Sequence, residues 1–439
     1  MSRRAGFRNP LDRRIAALAL PAFGTLAAEP LYLVADTAIV GRLGTTALAG
    51  LALASSVLLF VTALCNFLAY GTTPRVARAR GAGREGEAAA VGVQAVWLSL
   101  LLGLPLAAAL VALARPVCEL LGGSGAALDA AVLYLRASAV GMPFVLIALA
   151  GQGVFRGVAD LRTPLAIVVV ANVLNLVVEL VAVYWLDLGI AGSAWSTVIV
   201  QVGAAGAYLL LLRPRLAPAE RRGPDRRELR QLLAAGSHLV LRVVSLFAAF
   251  AIATAVAARV DTTTVAAHQV VNSMFALLAL SLDALAIPAQ TLVAEALGAG
   301  DVGLARRVGE RIVRLSVVTG VLIAVFFGAL APAIARIFTG DPPVVDRATA
   351  GLVVLAVLLV PGAIAFALDG VLIGAEDVRF LGRVMVLALL IYLPFALATL
   401  LEPSLGIFGV WGALAVWMTA RAVLMGRRFH GDAWLRPPA

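Results

Sequence analysis

Predominantly apolar stretches of more than 20 residues recur along the chain, for example at 88–114, 163–186 and 231–258. An α-helix needs about 20 apolar residues to cross the roughly 30 Å hydrocarbon core of a bilayer. Hydrophobic residues make up 62% of the chain and charged residues 14%, whereas a soluble domain is about half apolar and a quarter charged. Because the chain has too few polar residues to cover itself in water, the sequence predicts an all-α polytopic membrane protein.

The apolar stretches predict twelve transmembrane helices. The N-terminus is basic, as in a signal peptide, but the apolar run after it is longer than a signal sequence and lacks a cleavage site, so we interpret it as the first span. The predicted spans are 14–41, 47–73, 88–114, 127–150, 163–186, 190–212, 231–258, 264–292, 305–330, 347–373, 381–401 and 406–426.

Arginine is distributed unevenly between the two sets of loops. All 35 basic residues are Arg, and 29 of them lie at the two termini and in every second loop, which leaves six for the opposite loops. Basic loops stay on the cytoplasmic side of a membrane. We therefore expect both termini in the cytoplasm, as an even number of spans requires. The membrane also accounts for the net charge of +10, so nucleic acid is not expected as a partner.

An internal repeat divides the chain. A constant shift of 217 residues aligns "RLGTTALA" at 42 with "RVDTTTVA" at 259, and "VFRGVADLR" at 154 with "VLIGAEDVR" at 371. The polar segment 213–230 separates the halves, which predicts a lobe at 1–212, a cytoplasmic linker at 213–230 and a second lobe at 231–439. Because each lobe has six helices, we expect a pseudo-two-fold axis along the membrane normal. Parallel repeats of this kind are typical of transporters.

Several polar residues inside the spans occur in the first half alone. A charge at the centre of a spanning helix costs about 2.5–3.5 kcal/mol on insertion scales, which makes each one a candidate for function. The repeat aligns Asp36 with Ala253, Asn175 with Tyr392, Glu179 with Ala396 and Thr197 with Leu414. A group that served only the shared scaffold should recur in both halves. These residues are therefore our main site candidates.

The spacing of these residues places several of them on common helix faces. Asn175 and Glu179 are four residues apart, and Asn172 shares their face. In the first span, Tyr32 lies four residues before Asp36, and Glu29 lies seven before it.

Converging carboxylate, amide and hydroxyl oxygens could bind a hard cation such as Na⁺. Alternatively, a carboxyl group in a medium of low dielectric could carry a proton. A third interpretation is that Asp36, Glu179 and Glu29 lie near helix ends and reach water.

Three residues of the second half allow two interpretations each. Asp283 aligns with Asn66, which favours a structural hydrogen bond between helices over a place in a cavity. Asp369 either ends its helix or lines a cavity. His268 is either structural or titrates near neutral pH. Two Arg residues in or near the spans, Arg136 and Arg242, are expected to extend towards an interface.

Motifs for enzymes and ATP-driven transport are absent from the sequence. No GxxxxGK[ST] loop occurs, so ATP is not expected to drive the protein. The three His residues lie far apart, and neither an H-E-x-x-H nor a G-x-S-x-G motif is present. Cys65 and Cys118 form no metal or redox pattern. We expect no enzymatic activity and no cofactor other than a coupling ion.

The chain resembles the multidrug and toxic compound extrusion (MATE) transporters, and most of all their DinF-like branch. The resemblance rests on the two six-helix halves, "LPAF" followed by "VADTAIVGRLG", "FRGVADLRTPL" at 155–165, "DGVLIGAED" at 369–377 and the pair Asn175 and Glu179. Members export organic, often cationic, compounds by antiport with H⁺ or Na⁺.

The resemblance implies roles for individual residues. The coupling carboxylate of the family corresponds to Asp36, and the further cation or proton ligands correspond to Asn175, Glu179 and Thr197. The supporting polar groups correspond to Tyr32, Tyr134 and Gln152, with Asn172 nearby, and a bend of the first helix corresponds to Pro21. The fifth-helix acid is usually Asp in the family and is Glu179 here, which changes the size of a possible Na⁺ site and favours H⁺.

We therefore expect a secondary active multidrug efflux transporter that exchanges amphipathic, cationic compounds for H⁺ by alternating access. It should act as a monomer in the cytoplasmic (inner) membrane of a bacterium, with the lipid bilayer and small organic molecules as its partners. The alternatives are a flippase for a lipid-linked precursor and a membrane receptor or scaffold that transports nothing. Protonation of Asp36 is the expected switch, because it removes the charge that holds a cationic substrate.

Overall fold

The computed structural model describes residues 10–436 and is helical almost throughout. Its helices are α1 Pro10–Gly41, α2 Thr45–Cys65, α3 Phe67–Gly81, α4 Glu85–Leu120, α5 Gly125–Ala139, α6 Met142–Gly157, α7 Arg162–Leu180, α8 Gly189–Leu216, α9 Arg226–Val260, α10 Thr262–Gly298, α11 Val302–Phe338, α12 Pro342–Gly374, α13 Val378–Leu401 and α14 Gly406–His430. Eleven helical segments of the described chain are long and apolar enough to span a membrane, and the bent pair α5–α6 makes a twelfth. The predicted fold class is confirmed, and the predicted twelve spans are found if the bent pair is counted as one span.

The sequence repeat is also a repeat of the backbone. Three positions of positive φ in the first half recur 217 residues later: Gly83 and Gly300, Ala159 and Glu376, Gly189 and Gly406. Three helix starts keep the same offset: Thr45 and Thr262, Glu85 and Val302, Gly189 and Gly406. Positive φ is rare outside glycine, so its recurrence at matched positions shows that the two halves share turn geometry as well as helix order.

The first half contains breaks that the second half lacks. A break at Asn66 separates α2 from α3, whereas α10 continues through the matching Asp283. Helices α5 and α6 meet at an angle of 52°, whereas α12 is continuous over the matching residues. Pro143 contributes to the second break, because it has no N–H to donate to the carbonyl of Ala139. Irregular backbone inside a membrane marks places where protein or a cavity replaces lipid.

The described chain forms two compact units. The first-half unit comprises residues 21–236, and the second-half unit comprises residues 237–436 together with residues 10–20 of α1. Two ion pairs tie the start of α1 into the second-half unit: Arg311 to Asp12 at 2.5 Å and Arg14 to Glu295 at 2.7 Å. Pro21 is the first residue of the other unit.

The predicted linker 213–230 is largely attached to α4. It begins inside α8, which ends at Leu216, and it ends inside α9. Between these helices, the indole of Trp97 donates to the carbonyl of Arg222 at 2.7 Å, and Gln94 donates to the carbonyl of Gly223 at 2.9 Å. These bonds hold the polar segment against the first-half unit.

A charged triad lies inside the second-half unit. Asp369 on α12 is 2% exposed, and Arg421 on α14 is fully buried. One carboxyl oxygen, Asp369 Oδ2, accepts from Arg242 Nη2 at 2.8 Å and from Arg421 Nη2 at 2.7 Å. The expectation that Arg242 extends towards an interface is wrong, because its partner carboxylate lies in the helical core.

The glycine that follows Asp369 marks a close helix contact. A Cβ at Gly370 would lie 2.8 Å from the Cα of Ala286 on α10, closer than side chains approach backbone. We expect Gly370→Ala to destabilise the protein by about 1–3 kcal/mol, because overpacking forces the helices apart. Gly362→Ala on the same helix is the control, since its Cβ would meet only side chains at 3.8 Å or more. Thermal unfolding in detergent compares the two variants, and equal midpoints would contradict the prediction.

Candidate functional site

The main site candidates come together within the first-half unit. Asp36 lies on α1, Asn175 and Glu179 lie on α7, and Thr197 lies on α8. Asp36 is 2% exposed, Asn175 is 5% exposed and Glu179 is fully buried. The interpretation that Asp36 and Glu179 reach water is therefore wrong. Desolvated carboxyl groups at this depth need compensation from partners.

A serine on α8 contacts the carboxylate of α1. The hydroxyl of Ser193 donates to Asp36 Oδ1 at 3.0 Å, and both groups are buried. Ser196 donates to the carbonyl oxygen of Ser193 at 2.7 Å, and a longer bond of 3.4 Å runs from its hydroxyl to Asn175 Oδ1. These bonds link α1, α7 and α8 through small hydroxyl side chains.

Thr197 joins the same network from the next turn of α8. Its hydroxyl lies 3.1 Å from the hydroxyl of Tyr32 on α1 and receives a bond of 3.4 Å from Asn175 Nδ2. Tyr134 on α5 is buried and interacts electrostatically with Asp36 and Glu179. The network thus brings together residues of α1, α5, α7 and α8, and it includes most of the predicted polar groups.

Glu179 is the unsatisfied member of the site. Both of its carboxyl oxygens are buried, and neither has a hydrogen bond partner among residues 10–436. Asp36 and Ser193 are its polar neighbours: both lie close enough to affect the Glu179 carboxyl group at short range, and Asp36 also does so through its charge. Two carboxyl groups that share a dry site cannot both be ionised without a large repulsion. Glu179 is therefore the member of the pair that the described chain leaves without a hydrogen bond.

A π-helical turn begins two residues after Glu179. Residues Val181–Trp185 adopt it, and Leu186 N donates to the carbonyl of Val181 at 3.0 Å. The Tyr184 hydroxyl donates to the carbonyl of Ile39 at 2.9 Å, which holds this turn against α1. In the second half, α13 stays α-helical up to Leu401. Such turns occur frequently at functional sites, and this one places the end of α7 beside Asp36.

The remaining candidates have other surroundings. Asn172 donates to the carbonyl of Ala28 at 2.9 Å and so ties α7 to α1. Gln152 does not join the Asp36 network among the described hydrogen bonds; its amide oxygen accepts from Arg156 at 3.1 Å. Glu29 is exposed, and Asp283 is half-buried.

The first helix contains two prolines, Pro21 and Pro30, although the family resemblance implied a bend at Pro21 alone. Each one lacks the N–H that a helix interior needs. The hydroxyl of Thr25 bonds back to the carbonyl of Pro21 at 2.9 Å. The helix stays continuous from Pro10 to Gly41, but the backbone hydrogen bonds that Pro21 and Pro30 would donate are missing.

Sequence reasoning missed Ser193 and Ser196. The repeat contained the signal, because Ser193 aligns with Val410 and Ser196 with Ala413. Asp36 and Glu179 were selected because each is a polar residue that aligns with an apolar residue in the other half. The same criterion selects both serines. A hydroxyl group in a membrane helix is a weaker sign of function than a charge, because the free-energy cost of burying it is smaller.

Within residues 10–436, no group of three or more His, Cys, Asp and Glu side chains could hold a metal ion. The donors at Asp36 are two carboxyl groups supplemented by neutral hydroxyl and amide oxygens. This set fits a proton or a monovalent hard cation.

Comparison with known proteins gives consistent matches over the whole chain. The MatE family model matches residues 21–181 and 239–398. Protein DETOXIFICATION 44, chloroplastic, of Arabidopsis thaliana is 34% identical over 431 residues, which cover 94% of this chain and 81% of the relative. DNA damage-inducible protein F of Escherichia coli (strain K12) is 29% identical over 443 residues, which cover 98% of this chain and 95% of the relative.

Solved structures of MATE transporters share the fold of this chain. The crystal structure of MATE in the bent conformation superposes with a TM-score of 0.90 at 22% identity, covering 97% of this chain and 96% of that one. A multidrug resistance MATE family transporter of the MOP superfamily in an outward-facing conformation superposes with a TM-score of 0.87 at 22% identity, covering 97% of each chain.

Proposed function

The chain belongs to the MATE family of multidrug efflux transporters, and on this premise we propose that it exchanges amphipathic, cationic organic compounds for H⁺ by alternating access. One observation carries the proposal: Glu179 and Asp36 form a buried acidic pair in which the Glu179 oxygens lack a partner among residues 10–436. A site of this kind needs a positive charge from outside the protein. Both a proton and a cationic substrate supply one.

Exchange follows if the two ligands use the same negative charge. With one proton on the pair, the remaining charge attracts a cationic substrate. A second proton neutralises the pair and removes that attraction, and Asp36 gains a hydrogen to donate. Each ligand then favours a different state of the protein, which is the condition for coupling.

The donor set favours H⁺ over Na⁺. Ser193 already donates to Asp36 Oδ1, and Thr197 already bonds to both Tyr32 and Asn175. Na⁺ at Asp36, Asn175, Glu179 and Thr197 would have to redirect several of these bonds, whereas a proton on the acidic pair leaves them in place. The alternative of a flippase for a lipid-linked precursor gains no support here, because its pyrophosphate would need cations where this site is acidic.

The proposal includes the setting of the protein. We infer a monomer that works without ATP in the cytoplasmic membrane of a bacterium, with both termini in the cytoplasm. The Arg distribution supports the orientation. The Arabidopsis relative is described as chloroplastic, so the compartment does not follow from family membership alone.

Transport of cationic dyes into or out of proteoliposomes tests the proposed function. We expect dye movement driven by a pH gradient in the absence of Na⁺, and no movement driven by Na⁺ at equal pH. The orientation of the reconstituted protein is read from the labelling of a cysteine placed at residue 222, in the Arg-rich segment. Transport that stops without Na⁺ and ignores the pH gradient would contradict proton coupling.

A further inference from the structure

The first-half unit contains a pocket of about 290 Å³ at one end of its helices. It lies where α3 and α6 end, where α4 begins and where α8 ends. Four charged side chains line it, Arg80, Glu85, Asp160 and Arg215, and its walls include Val76 and Val154. These helix ends belong to the Arg-rich side of the chain, the side predicted to face the cytoplasm. Nothing in the acidic site on α1, α7 and α8 uses these residues.

One cation of the pocket is rigidly held. Arg215 Nη2 lies 2.9 Å from Asp160 Oδ2, and its guanidinium carbon lies 4.6 Å from the centre of the Phe155 ring. Asp160 is itself fixed by Thr163, whose backbone N–H and hydroxyl donate to it at 3.1 Å and 2.8 Å. Arg215 Nη1 also donates to the carbonyl of Leu211 at 3.1 Å. A guanidinium held in this way is preorganised, and its remaining N–H groups can donate to a further anionic oxygen.

The other cation is fixed in place but weakly neutralised. Arg80 Nη1 donates to the carbonyl of Val158 at 2.7 Å, which positions the guanidinium over the pocket wall. Its carboxylate neighbour is Glu85, whose Oε1 lies 3.6 Å from Arg80 Nε and whose side chain is 66% exposed. Exposed ion pairs at such distances contribute little. An anionic ligand group can therefore pair with Arg80 in place of Glu85, and the Glu85 carboxylate can then pair with a cationic group.

The second-half unit has different side chains at the corresponding place. The pocket-lining residues Ala89 and Arg215 match Arg306 and Asp432 in the repeat, and these two form a direct ion pair of 2.5 Å. Next to them Trp434 is buried and stacks on the Phe429 ring at 5.2 Å. The two halves therefore differ here, because the second half has an ion pair where the first half has Ala89 and Arg215 in the pocket lining.

We propose that the open pocket binds the headgroup of a phospholipid that carries a phosphate and a primary ammonium. The phosphate is held by Arg80 and Arg215, since guanidinium groups bind phosphate oxygens with two parallel bonds. The ammonium pairs with Glu85, and the apolar wall receives the glycerol end of the lipid. The four side-chain charges cancel, which suits a zwitterion better than an anion of high charge. Headgroup binding in basic pockets between transmembrane helices has the same physical basis.

Native mass spectrometry of the purified full chain tests this site with three synthetic lipids: a phosphatidylethanolamine, a phosphatidylcholine and a phosphatidylglycerol of equal acyl length. We expect phosphatidylethanolamine to be retained at least about tenfold more strongly than phosphatidylcholine, whose trimethylated nitrogen has no N–H to donate. Arg80→Gln should weaken the binding of all three lipids. Glu85→Gln should weaken phosphatidylethanolamine alone.

The matched control is Arg84→Gln. Arg84 is exposed, pairs with Glu87 at 2.6 Å and does not line the pocket, so its substitution should leave lipid retention unchanged. Equal retention of the three lipids, or equal loss in Arg80→Gln and Arg84→Gln, would overturn the proposal. So would displacement of the lipid by inorganic phosphate alone, because it would show a plain anion site. None of these outcomes depends on transport, so they leave the antiport proposal untouched.

Discussion

Asp36→Asn should reduce dye efflux driven by a pH gradient to the level of protein-free vesicles, while the protein still inserts and folds. Asparagine keeps the shape of the side chain and can still accept the 3.0 Å hydrogen bond from Ser193. It cannot gain or lose a proton, so the acidic pair loses the charge that would alternate between proton and substrate. Reconstituted transport measures the loss, and gel filtration with thermal unfolding checks the fold.

A second neutralised aspartate serves as the control for Asp36→Asn. Asp129→Asn makes the same chemical change at an exposed residue, 67% accessible, which pairs with Arg115 at 2.6 Å. It should transport at the wild-type rate, because exposed ion pairs contribute at most about 1 kcal/mol. Wild-type efflux from Asp36→Asn in the same assay would refute Asp36 as the switch. Loss of efflux in both variants would show that the assay responds to net charge and not to the site.

Asp369→Asn should lower the stability of the protein by about 3–5 kcal/mol, the cost of breaking a buried ion pair by removing one partner. The substitution leaves Arg242 and Arg421 without a counter-charge in the core of the second-half unit. Arg421 is fully buried, and its guanidinium carbon lies 4.8 Å from the Trp417 ring, so without Asp369 its charge stays in the core beside an aromatic ring. Thermal unfolding in detergent should show the loss directly.

Two comparisons separate loss of the buried pair from loss of any carboxylate. Asp432→Asn removes the partner of Arg306 from an exposed pair, and it should cost less than about 1 kcal/mol. Replacing Asp369, Arg242 and Arg421 together by Leu, Met and Met should recover much of the stability, since apolar residues of similar volume often replace a buried charge cluster without loss. An Asp369→Asn protein that unfolds at the wild-type midpoint would contradict this account of the triad.

The fold class was predictable because its signals are local. A run of about 20 apolar residues predicts a spanning helix whatever its neighbours are, and the bent pair α5–α6 still reads as one such run. The repeat of 217 residues was visible as matched sequence and reappears in matched backbone turns such as Gly189 and Gly406. Asn175 and Glu179 were placed on one face by helix periodicity alone. The comparison of the two halves selected Asp36, although nothing in its own segment shows what it contacts.

The partners of these residues were decided by tertiary structure. Ser193 reaches Asp36 across 157 positions of the chain, and Asp369 meets Arg242 and Arg421 from two other helices. Contacts of this kind depend on which helix faces pack together and on where a helix breaks, as at the π-helical turn Val181–Trp185. Local periodicity specifies the face on which a residue lies, but only packing specifies what that face meets. The sequence alone therefore determined the helices, their number and the candidate charges, whereas tertiary packing decided which charges are buried together and which of them lack a partner.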